Sequence, residues 1–268
     1  MKMVDQIPEV VSKTETAEAE YLYKYYAFND QNRQYIEKIF THSQIYFASS
    51  RKFNDPFDSK VRPSFEGTKN EWRKKLRDIF KRQRPNWTEK QRFTEVERLL
   101  KSDRLKRIPE YITDSFLDKM GVFCMSEHRD DLLMWSHYSE GHTGFCLEFQ
   151  ATTKFFGRAQ IIIYKERYPI FRFLASLQDE LTEAMLLTKA NVWKYEQERR
   201  AIDHKKGPGV YIFPEELLRG VIFGCRMQTD KRRIISEWCR KRRQPPKLYE
   251  TRVKEGEFGL DIIAIDYP

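Results

Sequence analysis

From Gly121 onward the chain is written in short apolar runs set apart by turn residues, and no other feature constrains its fold as much. Residues 121–125, 144–149 and 159–164 each hold five or six residues rich in Val, Ile, Phe, Tyr and Cys, which is strand patterning. Residues 199–203, 221–224, 247–253 and 259–265 continue it, the last two as an antiparallel pair around Gly256. Upstream, the aromatic run at 21–26 and the segment 45–48 also read as strands. Helical spacing falls between these runs. Tyr35, Ile36, Ile39 and Phe40 follow a cap at Asn29 or Asp30. A short helix is expected at 131–138 and a longer one from about 176 to 192. Residues 229–243 form a third, with Ile234, Ile235 and Trp238 inward and Pro245-Pro246 as its stop. Strands and helices mix without regular β-α-β alternation. The expected class is therefore α+β, with a mixed, mostly antiparallel sheet core.

Between about 66 and 120 the pattern turns helical and basic. Trp72, Leu76, Ile79 and Phe80 share one helix face, while Arg73, Lys74, Arg77 and Lys81 take the others, and Pro85 ends the run. Thr88 with Gln91 fits a capping box for a helix carrying Phe93, Val96, Leu99 and Leu100. Pro109 suits the first turn of a further helix with Tyr111, Ile112, Phe116 and Leu117. These helices read as an insertion in a single domain spanning 21–268, behind a flexible polar tail at 1–20.

The net charge of +9 is unevenly spread. Residues 69–107 hold 15 Lys/Arg against 6 Asp/Glu, and residues 231–252 hold 9 against 2. The rest of the chain is acidic, so these two segments can present a basic face to nucleic acid. The plainer reading is a set of solvated helices.

Several classes are disfavoured. With 19 Phe, 14 Tyr and 5 Trp the chain is too aromatic for disorder. No apolar run nears the roughly 18 residues of a membrane helix, so no membrane partner is expected. The first 20 residues lack a signal-peptide core, and four scattered cysteines form no CxxC. A cytoplasmic protein with reduced thiols is expected. No GxGxxG follows a strand, and Walker, GxSxG and HExxH motifs are absent.

Four clusters can carry chemistry. Cys124, His128, His137 and His142 fall within 19 residues, but their spacing matches no zinc module, and a buried thiol with loop histidines explains them equally; no metal is assigned. Phe53-Asn54-Asp55-Pro56-Phe57-Asp58 is either a turn with an Asx hydrogen bond or a set of polar groups lining a site. Trp135 to Tyr138 reads as a helical turn packed inward. In the segment 193–200, Glu196, Glu198 and Arg200 share one face if the chain is extended. Two carboxylates so close resist ionising together, which raises one pKa. Beside Trp193 and Tyr195 such a pair suits a ribose or base, and the competing reading is an exposed Glu–Arg ladder.

The segments LYKYY, IYFASSRKFNDPFD, FCMSEHRDDLLMWSHYSEGHTGFCLEF, KYEQER and VIFGC, in that order, resemble a bacterial family of unknown function, over about residues 21–265. Its members often lie near mobile or phage-defence loci, which implies an antiviral or toxin effector. A more distant similarity is to ADP-ribosyltransferases. That resemblance implies NAD as substrate, with Lys24 or Tyr25 contacting the ribose and Tyr46, with Ser49, on the second strand, Tyr46 stacking on nicotinamide. Lys24 stands where that family carries His or Arg. Glu198 would stabilise the oxocarbenium-like transition state, Glu196 would orient the acceptor, and Asn54 would join the cofactor-binding groups. Two other readings stand beside it. One is a non-catalytic nucleic-acid-binding module using the basic helices. The other is a metal-dependent nuclease built on Asp55, Asp58, Glu196 and Glu198, since clustered carboxylates can hold Mg²⁺.

Overall fold

The computed structural model describes residues 19–102, 116–152, 155–174 and 178–268. The tail expected at 1–20 lies, up to residue 18, outside the described residues, and so does the helix expected from Pro109, up to residue 115.

The chain opens with β1 (Tyr21–Tyr26), α1 (Arg33–His42), β2 (Gln44–Ser49) and β3 (Arg62–Ser64). Neither Asn29 nor Asp30 is the residue that caps α1. Asn32 stands there, and Asn29 and Asn32 accept each other's backbone N–H at 3.2 and 3.0 Å, which closes the turn before the helix. The basic helices α2 (Lys69–Gln83) and α3 (Glu89–Leu100) follow, each with a capping box, Thr68 with Glu71 and Thr88 with Gln91. Leu76, Phe80 and Val96 form the seam between them. Trp72 docks α2 through Phe65 and Phe173.

Next come β4 (Gly121–Ser126), α4 (Leu132–Tyr138), β5 (Phe145–Gln150), β6 (Gln160–Ile161), β7 (Ile163–Lys165), β8 (Ile170–Arg172), α5 (Gln178–Leu186) and β9 (Thr188–Ala190). The chain ends with β10 (Glu198–Asp203), β11 (Gly209–Ile212), β12 (Leu218–Phe223), α6 (Thr229–Arg240), β13 (Lys247–Val253) and β14 (Leu260–Ile265). Two expectations are corrected. The run at 159–164 is two strands in different sheets, because β6 pairs with β10 while β7 pairs with β9. The helix expected to reach 192 ends at Leu186, because Thr188 to Ala190 pair with β7 instead.

The main sheet has ten strands, running β11-β2-β4-β1-β5-β12-β13-β14, with β10 on the other edge of β4 and β6 beyond it. All its pairs are antiparallel except β12 with β13. Its principal core holds Phe47, Phe123, Phe145 and Phe149, under α1 and α6, whose Phe40 and Trp238 meet ring to ring at 6.0 Å. On the other face α4 packs Met134 and Trp135 against Tyr23, Tyr25 and Cys146.

One feature of the pairing makes the site. β4 is bonded along its length to β10. On its other edge it meets β2 only at Gly121 and Val122, and β1 only at Ser126. Among the described residues, Phe123, Cys124 and Met125 have no strand neighbour there. β1 is committed to β5 over its whole length and β2 to β11, so the sheet forks at the middle of β4.

Candidate functional site

A cleft of about 270 Å³ opens at this fork. Lys24 and Tyr25 reach it from β1, Tyr46 from β2, Asn54 from the following turn, and Glu196 and Glu198 from the approach to β10. Sequence reasoning named all six, and the fold gathers them on one wall system. Ser49 does not line the cleft. Its hydroxyl accepts from the Arg51 N–H and donates to the Leu117 carbonyl, capping the short 3₁₀ turn Ser50–Lys52.

The floor is a closed set of buried charges. Arg200, fully buried, donates to Glu198 from Nε at 2.7 Å and Nη2 at 3.1 Å. Its Nη1 and Nη2 also donate to the two Asp58 oxygens at 3.0 and 2.5 Å, and Nη1 to the Leu186 carbonyl. Lys189 of β9 donates to Glu196 Oε2 at 2.5 Å and Glu198 Oε2 at 3.0 Å. Tyr138 of α4 donates to Glu196 Oε1 at 2.6 Å, and Asn54 bonds the same hydroxyl. The Tyr164 hydroxyl accepts the Glu198 N–H.

The two glutamates reach this floor by a route the sequence does not reveal. Glu196 ends a 3₁₀ helix, Asn191–Glu196, and Gln197 then turns through a φ of 41° before Glu198 starts the strand. The single extended face expected for both is therefore corrected. Only Glu198 and Arg200 alternate on β10, and Glu196 arrives through the turn. Neither glutamate is an exposed ladder residue, since both are buried. Arg199 pairs elsewhere, with Glu127.

Electrostatics separates the pair. Burial raises the Glu196 carboxyl above the ordinary glutamate value, and the neighbouring Glu198 charge adds to this against Lys189. Burial acts on Glu198 in the same direction, but Arg200 and Lys189 outweigh it and hold its carboxyl well below the ordinary value. Three carboxylates face two cations, so a proton on Glu196 leaves the floor neutral. The two glutamates thus offer one fixed anion and one carboxyl able to carry a proton.

Other groups are engaged in packing. The Tyr25 ring meets Trp135 edge-on at 5.2 Å and its hydroxyl donates to the His128 carbonyl. The Lys24 ammonium lies 5.3 Å over the Phe123 ring. Tyr46 is 38% exposed at the rim. Asp55 accepts the Trp193 indole N–H at 2.7 Å and the Phe57 N–H at 2.9 Å, so the Asx turn is present, and Asp55 does not line the cleft. Trp193 and Tyr195 do not line the cleft; Tyr195 bonds His137 at 2.9 Å. Tyr138 and Lys189 were missed as site residues. The motif MWSHY marked Tyr138 only as packing, and Lys189 lay in a stretch patterned as helix.

Among the described residues no three His, Cys, Asp or Glu side chains are grouped to hold a metal. Asp58, Glu196 and Glu198 converge, but Arg200 and Lys189 already hold their facing oxygens. The basic segments also spend charge internally. On α2 and α3, Arg73 pairs with Glu97, Arg77 with Glu89 and Arg98 with Glu95. On α6, Lys231 donates to the Phe28 carbonyl and Arg232 pairs with Glu250, while Arg242, just beyond it, donates to the Phe40 carbonyl. No helix among the described residues is long and apolar enough to cross a membrane, and all four cysteines are unpaired.

The model of a family described as a protein of unknown function (DUF2971) matches residues 134–201. That stretch runs from α4 into β10 and holds Tyr138, Lys189, Glu196, Glu198 and Arg200. No curated protein and no solved structure matches the chain.

Proposed function

We propose that the fork cleft cleaves NAD at the nicotinamide–ribose bond and passes the ADP-ribosyl group to a nucleic-acid or protein acceptor, or to water. One observation carries the reading. Residues far apart in sequence, Lys24, Tyr25, Tyr46, Glu196 and Glu198, line a single cleft, and the transferase resemblance names these positions together with Ser49, which lies outside it.

The chemistry suits the floor. The bond from ribose C1′ to the pyridinium nitrogen breaks with both electrons going to nitrogen, so nicotinamide leaves neutral. Positive charge develops on C1′ and the ring oxygen. A carboxylate held ionised in a dry site stabilises that charge, and Glu198 is such a group. The acceptor hydroxyl, amine or water then bonds to C1′ and loses its proton. Glu196, held above its ordinary pKa by burial beside Glu198, is suited to take it up. Tyr46 at the rim offers an aromatic face to the nicotinamide ring.

The test is nicotinamide release from NAD by the full chain, with and without cell RNA, DNA and protein as acceptors. Wild type is expected to release nicotinamide. Tyr46→Ala is expected to raise KM more than it lowers kcat, since it removes a stacking surface and leaves the floor alone. No release under any of these conditions refutes the reading.

A further inference from the structure

Seven charged side chains line the cleft, and five of them are already matched. Asp58 and Glu198 hold Arg200, and Glu196 and Glu198 hold Lys189. The other two are Lys24 and Lys52. Among the described residues neither ammonium has an acidic partner; Lys24 lies over the Phe123 ring, and Lys52 is exposed on the 3₁₀ turn that also carries Phe53 and Asn54 into the cleft. One lysine is half-buried on a strand and one stands at the rim, so positive charge runs from inside the cleft to its edge.

We infer that Lys24 and Lys52 form a diphosphate-holding pair, so that the cleft takes a nucleoside diphosphate or a dinucleotide joined through one. The charges match in number, because a diphosphate diester carries two negative charges, one for each of these ammonium groups. The lining also includes the rings of Tyr26, Tyr35, Tyr46 and Phe53, and every nucleobase has a face to stack on such rings. A phosphate in the cleft therefore meets two ammonium groups that no carboxylate among the described residues engages, while Asp58, Glu196 and Glu198 are each held by Arg200 or Lys189. The inference shares with the function above the premise that this cleft holds the ligand, but it does not require that any bond be cleaved.

Calorimetric titration with ADP and with adenosine isolates the diphosphate. Wild type should bind ADP at least about tenfold more tightly than adenosine, the scale of one charge-assisted hydrogen bond. Lys52→Ala and Lys24→Met should each weaken ADP by about tenfold and leave adenosine within about twofold. Lys52 has no side-chain bond to lose among the described residues, and equal melting temperatures of Lys52→Ala and wild type confirm that the fold is kept. Equal affinities for ADP and adenosine, no ADP binding by wild type, or variants that bind ADP like wild type would overturn the pair. Displacement of ADP by a single-stranded oligonucleotide would place a polynucleotide phosphate on these lysines and overturn it too. ADP binding that depends on both lysines, with no nicotinamide release, would sink the transferase reading and leave the diphosphate pair standing.

Discussion

The fork floor and the α2–α3 helices both pair arginine with glutamate, yet the two regions use these pairs in opposite ways. On the helices, Arg77, Arg98 and Glu89 keep half or more of their side-chain surface exposed, where water screens both charges and holding two long side chains together costs entropy. At the floor, Arg200, Glu198, Glu196 and Lys189 are buried. Each charge there has lost its hydration and is tolerable only because its partners stay in place. A fold that needed charge only for solubility would keep it outside, as α2 and α3 do. Five ionisable groups gathered beneath an open cleft are what the proposed chemistry draws on.

The largest way to break this contrast is Arg200→Met. It leaves Asp58 buried without its cation and Glu198 with Lys189 alone, and should cost about 3–5 kcal/mol in urea unfolding. A loss as small as that of a surface pair would show that the floor is wetter than its burial implies.

Glu196→Gln sharpens the contrast through pH. Glu198 is held below its ordinary 4.5, so its stabilisation is present above that pH and is lost as pH falls towards its folded value. Glu196 is raised above 4.5, so its contribution is full below that pH and is lost as pH rises through its folded value. The amide keeps the neutral form; its oxygen can still accept from Lys189, and its NH₂ then donates to the Tyr138 oxygen in place of accepting from it. Relative to wild type, Glu196→Gln should therefore gain stability as pH rises from 4.5 to 8, measured by urea midpoints at fixed salt. A difference that stays flat would mean that Glu196 titrates normally.

The smallest expected effect lies on the helices. Arg98→Gln removes an exposed i, i+3 partner of Glu95 and should leave the melting temperature unresolved from that of wild type. A clear drop would make the basic helices more than a solvated face.

The sequence exposes these regions unequally. Most long elements are legible because their signals are local: the aromatic run of β1, the Thr88–Gln91 box of α3, the β13–β14 pair turning at Gly256, whose φ is 76°. The three-residue strands β3 and β9 are not, because each exists only through a parallel partner elsewhere in the chain, β8 and β7. Lys189 was hidden for that reason. Its neighbours carry helix-compatible residues, and only the pairing of Lys189 with Tyr164 turns the segment into a strand facing the glutamates. Glu196 and Glu198 were legible as a pair, whereas the left-handed turn at Gln197 that brings them together was not, since Gln carries no local preference for it. The fork itself is a matter of which strand claims which edge of β4, and no single segment encodes that.

If the buried anion at the fork carries the proposed chemistry, nicotinamide release must depend on Glu198. Glu198→Gln loses a partner of both Arg200 and Lys189, so rates are compared per folded molecule, at a temperature where melting curves show both proteins native. Wild type is expected to release nicotinamide, and Glu198→Gln to release it about 10²–10³ times more slowly, the cost of removing one charge-stabilising group. Release by a folded Glu198→Gln at the wild-type rate would remove Glu198 from the reaction.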